Sequence, residues 1–314
     1  MKNIAKLIKL TLIITTSVMM FSCSNDDDDS IVVPPVDNSI AGIASRTPEF
    51  SSLVAALAKA DLVQTLSQDG SLTVFAPDNA AFAAFLSANG YANLDAVPTP
   101  ALKELLLNHV VAGTNLSTGL STGYVKTLGK GAASTTNTLS MYINTSNGVS
   151  LNGVSNVTQA DIIATNGVIH KVSAVIGLPT VVTHAAANSN FTVLVGLLDD
   201  QGLVPTLSLT TGTPTPFTVF APLNTAFTQP VLDLYGTLTP TQKTELLTYH
   251  VVGEANVLST GIPTTPITTL QGGTFTVAGT VITDAIAAQT NIVLTDVQCS
   301  NGVIHAVDRV LRPF

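Results

Sequence analysis

Apolar and polar residues follow two rhythms along this chain, and the pair of rhythms occurs twice. Phe50, Leu53, Val54, Leu57 and Ala58 are spaced i, i+3, i+4, i+7 and i+8, the mark of an amphipathic helix. The run LTVFAP at 72–77 is a short strand closed by Pro77. Asp78 or Asn79 can cap a helix over 80–87. A further helix is predicted within 98–111, with Pro100 in its first turn and Leu102, Leu105, Leu106 and Val110 on one side. The pattern then turns β-like at 140–146, 149–155, 156–165 and 167–178, with Asn-Gly pairs at 147–148, 152–153 and 166–167 as hairpin turns. Helices first and strands later predict an α+β unit with a mainly antiparallel sheet.

The second occurrence of the pattern is a true repeat. EFSSLVAALAKADLVQTL (49–66) lines up with NFTVLVGLLDDQGLVPTL (190–207). LTVFAPDNAAF (72–82) lines up with FTVFAPLNTAF (217–227), and LKELLLNHVVAG (102–113) with KTELLTYHVVGE (243–254). NGVIH stands unchanged at 166–170 and 301–305. The order is preserved and the spacing drifts by loop-sized amounts, so two homologous domains of about 130 residues each are expected, at 40–179 and 180–314.

Composition narrows the function classes. Only 10% of residues are charged, so much of the surface must be Thr, Ser, Asn, Gln and Gly. A net charge of −8 argues against a nucleic-acid partner, because phosphates need a basic face. The first 22 residues read as a signal peptide: Lys2, Lys6 and Lys9 precede an apolar run too short to span a membrane. MFSC places Ser22 before Cys23 and resembles a bacterial lipobox, which implies lipid on Cys23; an ordinary secretory signal is the alternative. The run Asp26–Asp29 directly after it resembles the surface-export signal of Bacteroidetes-type lipoproteins, against the plainer reading of a solvated spacer. Residues 23–39 are then a lipidated acidic and Pro-containing tether, and the chain is expected at the outer membrane, facing the exterior. With Cys23 lipidated, Cys299 is left alone; it aligns with Ala164 and reads as a small buried apolar site.

Four histidines recur at matched places: His109 with His250, and His170 with His305. His109 falls on the apolar stripe of its helix, and His170 and His305 close an apolar pair. They read as buried, hydrogen-bonded packing residues, since an unpaired buried polar group costs about 1–3 kcal/mol. Asn166-Gly167 and Asn301-Gly302 read as turns that need φ > 0. His184 has no repeat partner and is expected exposed in the inter-domain linker. Convergence of His109, His170 and Asp161, or of His250, His305 and Asp296, on a metal is the alternative, but no tight His-x-x-x-His pair supports it. No G-x-S-x-G elbow supports a serine nucleophile. Glu104 and Glu245 are a matched acidic pair, with Glu104 expected on a solvated face. No catalytic residue, metal or cofactor is expected.

The four blocks together resemble the fasciclin-1 (FAS1) domain. The residues that carry the resemblance are TVFAP-x-N-x-A-F, including Asn79 and Asn224, the helix ending Tyr249-His250-Val-Val, and the closing Asp-Ile-x-Ala-Thr-Asn-Gly-Val-Ile-His that ends at His170. The resemblance implies two tandem domains, each a wedge of two mainly antiparallel β-sheets flanked by α-helices. It also implies adhesion or binding to extracellular proteins or surface glycans rather than catalysis. The chain departs from the pattern at Asn108, where the family favours Tyr. It departs again at Ser173, where the family favours the aspartate that the second repeat keeps as Asp308. A glycan-capture component of a nutrient-uptake system is the narrower alternative, and a surface hydrolase the remote one.

Overall fold

The computed structural model describes residues 36–314. Cys23, Asp26–Asp29 and the expected signal peptide lie outside the described residues. The first repeat opens with helices α1 (Ile40–Arg46), α2 (Ser51–Lys59) and α3 (Val63–Ser67). Strand β1 (Leu72–Pro77), helices α4 (Asn79–Ala88) and α5 (Thr99–Leu107), and strands β2 (Val110–Ala112) and β3 (Gly123–Lys130) follow. Strands β4 (Thr138–Asn144), β5 (Ser150–Leu151), β6 (Ser155–Ala164) and β7 (Gly167–Val172) close it. The second repeat runs α6 (Val181–Ala187), α7 (Thr192–Asp200), α8 (Val204–Leu207), β8 (Phe217–Pro222), α9 (Gln229–Thr237), α10 (Pro240–Thr248) and β9 (Val251–Val252). It ends with β10 (Ile267–Thr268), β11 (Thr274–Ala278), β12 (Val281–Thr283), β13 (Gln289–Cys299) and β14 (Gly302–Val307).

Neighbouring strands pair antiparallel, with one exception per repeat. The TVFAP strand lies parallel to the NGVIH strand: β1 pairs with β7 from Leu72↔Gly167 to Pro77↔Val172, and β8 with β14 from Phe217↔Gly302 to Pro222↔Val307. In the first repeat the seven strands close into a barrel through a single β2–β3 pairing at Val111↔Thr127. In the second the strand order is the same, but the sheet stays open between β9 and β10.

The parallel pair explains the uninterrupted apolar run of TVFAP. A strand covered on both faces has no polar side to show. Val74 and Ala76 pack outward under the helices with Leu53, Leu57, Leu102 and Leu106. Phe75 points the other way, into a second cluster with Met141, Ile143, Leu151 and Ile176. The second repeat divides likewise, with Val219 and Ala221 under helices and Phe220 inside with Phe275, Ile282 and Leu311. Each buried Phe contributes about 1.5–3 kcal/mol through the apolar area removed from water.

The two repeats meet along β4 and β13. Ser140 Oγ accepts from the Gln298 N–H at 3.0 Å, and Lys126 Nζ donates to the Asp296 carbonyl at 2.8 Å. The Ala133 N–H donates to the Ser300 carbonyl at 2.9 Å. His184 corrects an expectation here. It belongs to α6 rather than to a linker, and it is fully buried, its ring edge-on to Tyr124 with centroids 5.4 Å apart. It has no repeat partner because its environment is the other repeat. Asn188 reaches across the same seam, its Nδ2 donating to the Tyr124 hydroxyl at 3.2 Å.

The glycine of NGVIH is corrected in one repeat. Gly167 has φ +150, a backbone that favours glycine, but Gly302 does not have a positive φ. What forbids a side chain is the parallel neighbour: a Cβ would sit 1.9 Å from the Leu72 carbonyl oxygen at Gly167, and 2.2 Å from that of Phe217 at Gly302. Gly302→Ala is therefore expected to lower stability by about 3 kcal/mol through overpacking against backbone. Gly70→Ala, where nothing lies within 4 Å, is expected to leave it nearly unchanged. Chemical denaturation of the two variants checks the contrast, and equal midpoints would refute the steric reading.

Candidate functional site

The residues common to both repeats form three polar clusters, each built from a side chain reaching backbone. The first surrounds the Asn of NGVIH. Asn166 Oδ1 accepts from the Ile40 N–H at 2.8 Å, and its Nδ2 donates to the carbonyls of Leu66 and Gln68, both at 2.9 Å. Asn301 repeats this on Val181, Leu207 and Leu209 at 2.9, 2.8 and 2.7 Å. One buried amide thus satisfies the buried first turn of α1 or α6 and the end of α3 or α8, groups that a helix leaves unpaired.

The second cluster surrounds the closing histidine. His170 Nε2 lies 2.9 Å from the Asn115 carbonyl, and its Nδ1 accepts from the Asp161 N–H at 3.2 Å. His305 does the same with Val257 and Asp296, at 2.9 and 3.4 Å. These contacts put the proton on Nε2 in both rings. Asp161 and Asp296 hold φ +61 and +62, where β6 and β13 slip register. The slip turns each carboxylate toward a 3-10 turn: Asp161 takes the Ser117 N–H at 2.8 Å and its hydroxyl at 2.5 Å, and Asp296 takes those of Ser259 at 2.7 and 2.5 Å. The two serine donors hold the Asp161 carboxyl below its usual range. Each histidine ring also packs on the core Phe beside it, Phe75 or Phe220, at 5.5 and 5.4 Å.

The third cluster ties a helix end to the tail that plugs the strand layer. His109 Nδ1 donates to the Leu105 carbonyl at 2.8 Å, and its Nε2 accepts from Ile176 N–H at 2.9 Å. His250 does so with Leu246 and Leu311 at 2.9 and 2.8 Å. Burial pushes both down to about 4, against the modest help of the carbonyl each ring faces. The departures from the family pattern are resolved here. Tyr249 sends its hydroxyl to the Thr274 carbonyl at 2.6 Å, whereas Asn108 turns to the Ile176 and Gly177 carbonyls at 3.2 and 3.1 Å. Asp308 accepts from the Asn291 N–H at 2.8 Å, and Ser173 Oγ does the same for Asn156 N–H at 3.0 Å.

Several residues expected at the surface or at caps do other things. Asn79 does not cap α4; Asp78 does, accepting from Ala81 N–H at 2.9 Å. Asn79 instead accepts from Ser52 N–H at 2.8 Å and donates to the Pro48 carbonyl at 3.0 Å, and Asn224 joins Val193 and Ser189 in the same way. Glu104 is not simply solvated: it accepts from Lys130 N–H at 2.6 Å and fastens α5 to β3. Cys299 is fully buried, and burial pushes its thiol far up. His170 Nδ1 stands 3.9 Å from Asp161 Oδ1, while both nitrogens of His109 are engaged by backbone. Among the described residues no group of three His, Cys, Asp or Glu side chains is placed to hold a metal ion. The histidines, asparagines and aspartates that recur in these clusters are engaged in holding the fold.

Two predictions follow from these clusters. Asn301→Ala should leave one N–H and two carbonyls unpaired, at about 1–3 kcal/mol for each group that stays dry. Asn166→Ala should act alike in its own repeat, and the losses should add, because the sites are far apart in separate cores. A double variant no less stable than either single one in urea titration would refute this. The histidines give a pH signature. A ring with pKa about 4 when folded and about 6.5 when unfolded is neutral only in the native state between those values. Its contribution is complete above pH 6.5 and is lost as pH falls toward 4. The stability gap between wild type and His250→Ala should therefore shrink by roughly 1.4 kcal/mol per pH unit across that window; a pH-independent gap would contradict it.

Comparison with known proteins agrees with this construction. The Fasciclin domain family profile matches residues 48–179 and 189–313. Protein sll1483 of Synechocystis sp. (strain ATCC 27184 / PCC 6803 / Kazusa) is 35% identical over 138 residues, covering 44% of this chain and 72% of that protein. Stabilin-2 of Rattus norvegicus is 36% identical over 105 residues, 32% of this chain but 7% of stabilin-2. A solved FAS1 domain pair from the insect cell adhesion molecule Fasciclin I superposes with a TM-score of 0.50 at 18% identity, covering 84% of this chain and 97% of that one. With both repeats matched, the chain belongs to the Fasciclin domain family as a tandem FAS1 pair.

Proposed function

We propose that this protein is a non-catalytic adhesion or binding lipoprotein, anchored by lipid on Cys23, that presents two FAS1 modules to extracellular proteins or glycans. The observation that carries the reading is the use of the repeated polar residues. Asn166, His109, His170, Asp161 and their second-repeat counterparts each bond to backbone inside their own domain. They supply scaffold, and recognition is left to the surfaces, where the repeats differ. The cell adhesion role of Fasciclin I, whose domain pair shares this fold, supports the same class. So does the sparsely charged surface, since hydroxyl and amide groups suit hydrogen bonding to glycans or proteins. Two modules on one tether gain avidity from weak individual contacts.

The anchor and the binding role are tested together. Cells producing the wild-type chain should yield it to protease added outside. A variant with Asp26–Asp29 replaced by Ala should become protected, and Cys23→Ala should release the protein from the membrane. Wild-type cells should adhere to immobilised extracellular matrix or glycan surfaces more strongly than cells lacking the protein. Protease resistance of the wild type would refute exposure at the surface. Equal adhesion with and without the protein would refute the binding role.

A further inference from the structure

The repeats differ where the first turn after TVFAP meets the tail after NGVIH. In the first repeat, α4 starts at Asn79 directly after the strand and runs unbroken to Ala88. In the second, Leu223 cannot cap, a short 3-10 turn spans Asn224–Ala226, and α9 begins only at Gln229. The delay leaves a groove of about 490 Å³ between that turn, the start of α9, the start of β13 and the C-terminal tail. Arg309 and Arg312 line it. Their counterparts in the first repeat are Ala174 and Gly177, so the basic lining belongs to the second repeat alone.

Both arginines are half-buried. Among the described residues, neither side chain forms an ion pair, and those that do occur involve His170 and Lys171. Two guanidinium groups facing one groove in a chain of net charge −8 are unusual. Asp308 also lines the groove, but both of its oxygens are engaged by Asn291, at 2.8 Å each. Thr225 and Thr228 add hydroxyls to the lining, and Gln289 at the start of β13 adds an amide. Val231 and Leu234 supply an aliphatic side.

We propose that this groove binds an acidic oligosaccharide, with Arg309 and Arg312 receiving the carboxylates of uronate residues. The inference rests on the binding-module reading and gives it a site. Planar guanidinium groups suit carboxylates through paired N–H donors. The neutral donors and acceptors in the same lining match sugar hydroxyls, and the aliphatic side matches the C–H face of a pyranose ring. A groove of this size accommodates a few sugar units. An extended peptide fits less well: Gln289 and Asn291, the β13 residues that line the groove, already pair with β12 at Thr283 and Val281, and the Asn291 carbonyl also accepts from the Asp308 N–H at 3.1 Å, which leaves little edge for strand addition.

The test uses the full chain purified in detergent, with trigalacturonate as probe and calorimetry as readout. Trigalacturonate should bind saturably and weaken as salt rises. Neutral galactotriose and a tri-glutamate peptide should each bind at least tenfold more weakly. Arg309→Ala with Arg312→Ala should lose at least tenfold in affinity while melting like wild type. Should that pair melt early, Thr228→Trp, which fills the groove from an exposed position, serves instead and should lose the same binding. No binding of trigalacturonate, equal binding of galactotriose or of the peptide, or unchanged binding by both variants would overturn the proposal. The readouts separate the two readings: failure of the wild-type protein to bind trigalacturonate, while wild-type cells still adhere better than cells lacking it, sinks this site and leaves the adhesion role intact.

Discussion

The parallel pairing of TVFAP with NGVIH is the constraint on which the rest of each domain depends. A strand paired on both sides and covered on both faces can carry no charge and no turn residue within it. Its partner must then approach backbone to backbone, which is why Gly167 and Gly302 meet the carbonyls of Leu72 and Phe217 so closely. The residues flanking that partner strand fasten everything else. Asn166 and Asn301 hold the first and third helices. His170 and His305 hold the register slip and, through Asp161 and Asp296, the turn that leads into the next strand. Five residues of sequence thus organise elements that lie as much as 126 positions away.

Much of this was legible in the sequence, and the limits have physical causes. Periodicity located the helices and strands because each element has one face to bury. Repetition identified which residues matter, since a polar side chain kept at matched apolar places in both copies has a structural job. Spacing alone did not reveal what job. Asn-Gly reads as a turn, and only the parallel neighbour shows that the glycine is chosen for closeness and the asparagine for its three bonds. Asp161 and Asp296 gave no hint of their left-handed backbone. His184 was misplaced because comparison within the chain is blind to a residue whose environment is the other copy. The groove lined by Arg309 and Arg312 was invisible for the opposite reason: it arises from a helix that starts late, and no local pattern announces a late start.

The division between shared and unshared residues separates scaffold from surface. Interior staples recur at matched positions in both repeats even where side chains differ, as with Asp308 and Ser173, which hold the equivalent backbone N–H by carboxylate and by hydroxyl. The surfaces diverge freely, since no internal bond depends on them. A duplicated domain built this way can retain one framework and present two unlike faces. That arrangement suits a protein whose partners engage its exterior.

The near-identity of the two strand pairs also sets a hazard during synthesis. Each domain is completed by its last strand, which must find a partner laid down 95 residues earlier in the first repeat (Leu72↔Gly167) and 85 in the second (Phe217↔Gly302), a long loop to close. While the second domain emerges, its TVFAP strand is unpaired, and an identical NGVIH segment already exists upstream. A strand of the first domain that detaches, or one from a neighbouring chain, fits the vacant edge with the same glycine and the same asparagine. Exchange of this kind yields intertwined dimers. The seam residues that differ between copies, Tyr124 and His184 among them, are then more than glue between finished domains: they mark which half is which.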